Sequence, residues 1–278
     1  MDPENLTHPA TPVPGEEQTT LAPWWHTAAI VIVVGAMATL AHFSQHAAAS
    51  GAHVPVYLSQ MMMIWLIVGS VVAGIYQRRL FFFRTLQRNR APWWAELLRG
   101  AGIYFFIVMA FGVVMVIVSS ALAVRQLHQE RAAGQSKATV SQGELQQDVE
   151  AKLHLDRKVV RAFAPQTGWQ LLLWFGVSLT AGFCEEHIFR GYLLNQGIAW
   201  MARLDVPRWI GLAVPIAASS LLFGSLHVYE GIGGAVLIGF LGATYCVAAL
   251  YFKNLRAVIV AHTLQDFLAG LALFLKHT

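Results

Sequence analysis

Charge is what this chain has least of. Only 12% of its 278 residues are Asp, Glu, Lys or Arg, whereas 56% are hydrophobic. Soluble globular domains carry about 25% charged residues, so composition excludes an ordinary soluble domain and leaves a polytopic membrane protein. Cysteine is nearly absent as well. Cys184 and Cys246 sit in apolar runs without metal-ligand spacing, which excludes a disulfide framework and a cysteine metal site. The first 23 residues contain no Lys or Arg, so a signal peptide with a positive n-region is excluded. Residues 1–23, rich in Pro and Thr, read as a disordered tail. The net charge of +4 comes from arginines beside membrane segments rather than from a basic stripe, so no nucleic acid is expected as a partner. Gly-x-Ser-Gly and Gly-Asp motifs, which intramembrane serine and aspartyl proteases would need, are missing.

Long apolar runs are what the chain does have. The nine tryptophans include the pairs Trp24-Trp25 and Trp93-Trp94 at the edges of such runs, the position of an aromatic belt. A first span covers 24–43, and His42, His46 and His53 follow in a short polar link read as an exterior loop. A second span covers 56–76. Arg78, Arg79, Arg84, Arg88 and Arg90 come next with no acid among them, which places that loop and the N-terminus in the cytoplasm. The third span covers 101–124, so residues 24–124 form three N-terminal transmembrane helices. Residues 125–168 form the only long polar insertion, external by parity. Within it Ser141 and Glu144 resemble a capping box, and Leu145, Val149 and Leu153 draw an amphipathic stripe. From 169 to 278 apolar segments follow at 169–183, 189–204, 210–226, 235–252 and 255–275. The expected fold is all-α, with seven or eight transmembrane helices and a four-helix catalytic core in the C-terminal half. Whether 189–204 is a separate span or the continuation of a bent helix stays open. Small residues such as Gly231, Gly233, Gly234, Gly239 and Gly242 suit close helix packing in lipid.

Three polar insertions interrupt these runs. Ionisable groups at membrane depth cost about 3 kcal/mol or more each and mark a functional site by default. In Cys184-Glu185-Glu186-His187-Ile188-Phe189-Arg190, Glu186 and Arg190 stand four apart, in the favourable order for a helical ion pair. Glu185 sits about 100° round the helix without a local partner and is the group suited to take and return a proton. The bland alternative is an ion-pair network that only fixes helix packing. Phe223-x-x-x-His227 and His262-x-x-x-Asp266 bring further groups, each pair on one helix face. Straight helices would leave His227 at the opposite membrane face from the glutamates, so the site needs a kink or a break near 231–234. Glu185, His227, His262 and Asp266 can surround one water, with Glu and His deprotonating it and the other groups meeting an oxyanion. His227, His262 and Asp266 also suit zinc. Spacing does not separate metal-free from zinc-assisted hydrolysis.

Glu-Glu-x-x-Phe-Arg, Phe-x-x-x-His and His-x-x-x-(Asn or acidic) in successive membrane helices resemble the CAAX protease and bacteriocin-processing (CPBP, or ABI) intramembrane endopeptidases, which include the prenyl-protein endopeptidases. The resemblance covers about 169–275. It implies a peptidase in which Glu185 activates water with His227, while Glu186 and Arg190 give structural support. Phe223, one turn before His227, packs beside the imidazole as further support, and no cofactor is expected, with zinc as the alternative. The resemblance further implies that His262 and the residue at 266 bind the oxyanion. Prenyl-protein members typically have Asn there, and an ionised Asp donates no hydrogen bond. Asp266 is therefore protonated, orients His262, or helps hold a metal. The expected substrate is a membrane-associated protein or peptide, lipidated or not, met in the lipid bilayer of a bacterial inner membrane. A transporter or proton/cation relay is the rival from another class, and a catalytically silent scaffold or immunity protein is the third reading.

Overall fold

In a computed structural model the described residues are 22–49, 51, 53–76, 91–132, 151 and 161–277. Among them are eight α-helices and no strand, so the protein is an all-α integral membrane protein. Helix α1 spans Trp24–Ala49, α2 His53–Tyr76, α3 Trp93–Ala132 and α4 Gly168–Glu186. A π-helical turn, His187–Leu193, joins α4 to α5 at Leu194–Met201. Then come α6 Arg208–Ser225, a 3-10 turn Val228–Glu230, α7 Gly231–Phe252 and α8 Arg256–His277. Helices are the solution forced by lipid, where every backbone N–H and C=O must find a partner inside the segment.

The helix ends follow from local chemistry. Pro23 and Pro92 cannot continue a helix backwards, and their carbonyls accept the first N–H groups of α1 and α3. The Thr167 hydroxyl accepts from Gln170 N at 3.2 Å and opens α4. Between α7 and α8 the chain turns in three residues. Lys253 closes α7 with a φ of 55°, and the Asn254 side chain accepts from Arg256 N at 3.0 Å to open α8.

Among the described residues, five segments are long and apolar enough to cross a membrane: His53–Ala73, Trp93–Arg125, Arg208–Ser225, Val228–Phe252 and Arg256–Lys276. The described apolar part of α1, Trp24–Ala36, is shorter, and α4 ends in two carboxylates. Large apolar side chains on α3, among them Phe105, Phe106, Met109 and Ile117, are exposed and face lipid. The core lies where α2, α4, α6, α7 and α8 meet. There α6 packs on α7, and α8 packs on both α3 and α4.

Several expectations change. The histidine link is not a loop: α1 runs to Ala49, and the buried His53 begins α2, so only 50–52 separate the helices. The third span is part of a longer helix that starts at Trp93 and ends at Ala132, because Glu96, Arg99 and the polar residues after 125 are themselves good helix formers. The insertion expected from 125 is thus helical to 132. The segment 189–204 is no separate span. Glu186, His187, Leu193 and Leu194 all hold right-handed helical dihedrals, so α4, the π turn and α5 form one unbroken run. The expected tail ends earlier, since Ala22 is buried and its backbone is held by Gln196. Residues 1–21, the arginine loop at 78–90 and the amphipathic stripe at 145–153, apart from residue 151, lie outside the described residues.

Two glycines mark close approaches between helices. A Cβ on Gly224 would stand 2.5 Å from the Ala235 carbonyl oxygen and 3.0 Å from Gly239, so α6 and α7 touch backbone to backbone. On Gly182 it would meet the Thr263 hydroxyl, where α4 lies against α8. Gly224→Ala is expected to destabilise the detergent-solubilised protein by about 1–3 kcal/mol, as overpacking does. Gly211→Ala, with open space around its Cβ position, should leave the thermal unfolding temperature unchanged or raised.

Candidate active site

The site forms where α4 passes into the π turn. In a π turn the hydrogen bonds loosen to i→i+5, a feature frequent at functional sites. It keeps Glu186 and Arg190 on one face, with Nη1 donating to Oε1 at 2.8 Å and neither side chain exposed at all. The same Oε1 accepts from His262 Nδ1 at 2.8 Å, which joins α8 to the pair. Arg190 also donates from Nη2 to the Gly242 carbonyl on α7 at 3.1 Å. Its guanidinium lies 4.4 Å from the centre of the Phe223 ring on α6, a cation–π contact in a dry setting. One carboxylate and one guanidinium therefore tie together four helical segments.

Glu185 behaves differently. Its side chain is 21% exposed and opens on a cavity of about 460 Å³, walled by Glu185, Phe223, His227, Tyr229, His262 and Asp266 at its polar end. Glu185 Oε2 lies 3.8 Å from His262 Nε2, and Asp266 Oδ2 lies 3.4 Å from the same nitrogen. His227 Nδ1 is 2.8 Å from the Phe223 carbonyl, which can only accept, so Nδ1 carries the hydrogen. In the neutral ring this leaves the Nε2 lone pair for a ligand. The break that the sequence demanded is here. Helix α6 ends at Ser225, a 3-10 turn follows His227, and Gly231 takes a φ of 87°, open to a residue without a Cβ. Such non-helical backbone is tolerated at membrane depth because it lines a cavity in the protein.

The seven residues named from the sequence thus come together: Glu185, His227, His262, Asp266 and Phe223 on the cavity, with Glu186 and Arg190 behind them. Phe223 packs on His227 with ring centres 5.0 Å apart. Among the described residues no group of three His, Cys, Asp or Glu side chains stands where it could hold a metal ion. His262 already commits Nδ1 to Glu186 and His227 commits Nδ1 to Phe223. Sequence reasoning missed four neighbours. Tyr245 stacks on His262 at 5.7 Å and donates to Gln265 Oε1 at 3.0 Å, and Trp174 donates to the Asp266 carbonyl at 3.0 Å. Tyr229 lies 5.6 Å from His227. Gln265 was findable, one turn from His262 on the same helix face. Tyr245 and Trp174 give no signal among their apolar neighbours.

With this geometry established, comparison with known families gives one match. Residues 167–268 match the sequence model described as type II CAAX prenyl endopeptidase Rce1-like. This segment is an Rce1-like domain of the CPBP family. The domain runs from the N-cap of α4 past Asp266, so it contains all three polar insertions and leaves α1 to α3 outside. By its description the family is one of CAAX-protease-type endopeptidases. No curated protein and no solved structure matches the chain.

The sealed pair in the Rce1-like domain makes a stability prediction. Arg190→Met leaves the buried Glu186 carboxylate without its guanidinium partner and should cost about 3–5 kcal/mol in unfolding experiments in detergent. Arg190→Lys keeps the charge but loses the planar fork and should cost less.

Proposed function

We propose that this protein is a glutamate-dependent intramembrane endopeptidase that hydrolyses a peptide bond in a membrane-associated protein or peptide. One observation carries the reading. Of two adjacent glutamates, Glu186 is sealed and its Oε1 is taken by both Arg190 and His262, whereas Glu185 opens on the cavity beside two histidines. A packing network would have no use for the second carboxylate, and a relay no use for the brace.

In the proposed reaction a water sits between Glu185 and His227 Nε2. Glu185 takes its proton as the water oxygen bonds to the scissile carbonyl carbon, and the carbonyl electron pair moves onto oxygen. Each nitrogen of His262 faces a carboxylate, so the ring carries both hydrogens and donates Nε2–H to the oxyanion. Asp266 orients that ring from one turn along α8. On collapse the C–N bond breaks and Glu185 returns its proton to the amine, so peptide and water yield an acid and an amine. The donor set needs no metal. Apolar walls from α1, α2 and α4 suit a substrate segment drawn from the bilayer, lipidated or not. The location that fits is a bacterial inner membrane with the N-terminus in the cytoplasm.

The test is cleavage of quenched fluorescent peptides by the purified protein in detergent. Glu185→Gln should lower kcat by about 10²–10⁴-fold, and Glu186→Gln should chiefly lower yield and thermal stability. A chelator should leave the wild type unchanged. Loss on chelation that zinc restores would make His227, His262 and Asp266 ligands instead. Peptides left intact by wild type and mutant alike would favour a scaffold.

A further inference from the structure

The proposed hydrolysis develops negative charge on a carbonyl oxygen, and His262 supplies only one donor to meet it. Position 266 does not supply another, because Asp266 Oδ2 already faces His262 Nε2 at 3.4 Å. His227 turns its N–H to Phe223, and Trp174 spends its N–H on the Asp266 carbonyl. Gln265 lines the same cavity, three residues beyond His262 on α8. Its two arms are not equivalent. Oε1 accepts from the Tyr245 hydroxyl at 3.0 Å, and Tyr245 is fully buried on α7, stacked on His262. A reversed amide would set an N–H against that buried hydroxyl proton and leave it without an acceptor. The carbonyl arm is therefore held toward α7, and the NH₂ arm, with no hydrogen-bond partner among the described residues, is left for the cavity.

We infer that Gln265 is the second oxyanion donor of this protein, with Tyr245 as its positioning residue. The role rests on the hydrolytic reading above. The amide hydrogen-bonds the oxygen only when it carries charge and lies beside His262 Nε2–H, so two donors from one helix face meet the tetrahedral intermediate. Tyr245 does its work twice, packing the imidazole on its ring face and fixing the amide through its hydroxyl.

The experiment is steady-state cleavage of quenched peptides by the full chain in detergent, with thermal unfolding measured on every variant. Gln265→Leu should lower kcat by about 10²–10³-fold, the loss seen on removing one oxyanion donor, with KM little changed. Gln265→Glu keeps the size and the bond from Tyr245 but loses the donor, so it should fall as far even if the leucine variant folds poorly. Tyr245→Phe should cost about tenfold in kcat, since the amide stays present but unfixed. A phosphonate mimic of the tetrahedral intermediate should bind the Gln265 variants more weakly by the same factor as kcat/KM. Retention of kcat within about twofold in folded Gln265→Glu overturns the inference while leaving the peptidase reading intact. A wild type that cleaves no peptide overturns both.

Discussion

A single carboxylate oxygen, Glu186 Oε1, holds this site together. It accepts from Arg190 and from His262 at 2.8 Å each, with no exposure to solvent. Taking a carboxylate and a guanidinium out of water costs several kcal/mol per ion, and mutual attraction offsets that only where hydrogen bonds satisfy the remaining donors. Gly242 and the Phe223 ring serve that purpose for Arg190 in part, since Arg190 Nε keeps no hydrogen-bond partner. The partners come from the π turn, α6, α7 and α8. If any of these segments withdrew, a charge would be left uncompensated in an apolar medium. Convergence of the helices is therefore enforced electrostatically, where hydrophobic burial has little force because lipid is as apolar as a leucine.

That rigid centre lets its neighbours be reactive. Glu185 has the same side chain as Glu186 and the same membrane depth, yet it faces the cavity rather than a cation. Two breaks in regular helix make room for the difference. The π turn follows the glutamates, and the turn from Leu226 to Gly231 brings His227 back toward them. Each costs regular backbone hydrogen bonding and persists because the protein, not lipid, surrounds it.

Other polar contacts anchor this core to the helices outside the Rce1-like domain. Tyr192 in the π turn bonds His26 Nδ1 at 2.7 Å and Thr27 at 2.8 Å, and Gln196 clamps the backbone of Ala22. In the first turn of α3, Glu96 takes Arg99 at 2.8 Å and Asn254 at 3.2 Å. These contacts lie away from the cavity. They fix where α1 and α3 sit against the helices that carry the chemistry.

The all-α membrane fold, the three polar insertions and the split between a bracing and an open glutamate were legible in the chain. Each depends on local spacing: apolar runs long enough for lipid, a Glu and an Arg four apart, a His and an Asp four apart. The break after His227 was legible as a necessity, though not its form. Helix lengths were read less well, because Glu96, Arg99 and the residues after 125 continue a helix despite their polarity. What only the tertiary structure decided is which groups meet across helices. His262 turns its Nδ1 to Glu186 and its Nε2 to Glu185, and Tyr245 takes hold of Gln265, through contacts between residues 20 to 77 apart in the chain. No periodicity encodes such pairs, because they arise from the rotation and depth at which each helix packs against the next.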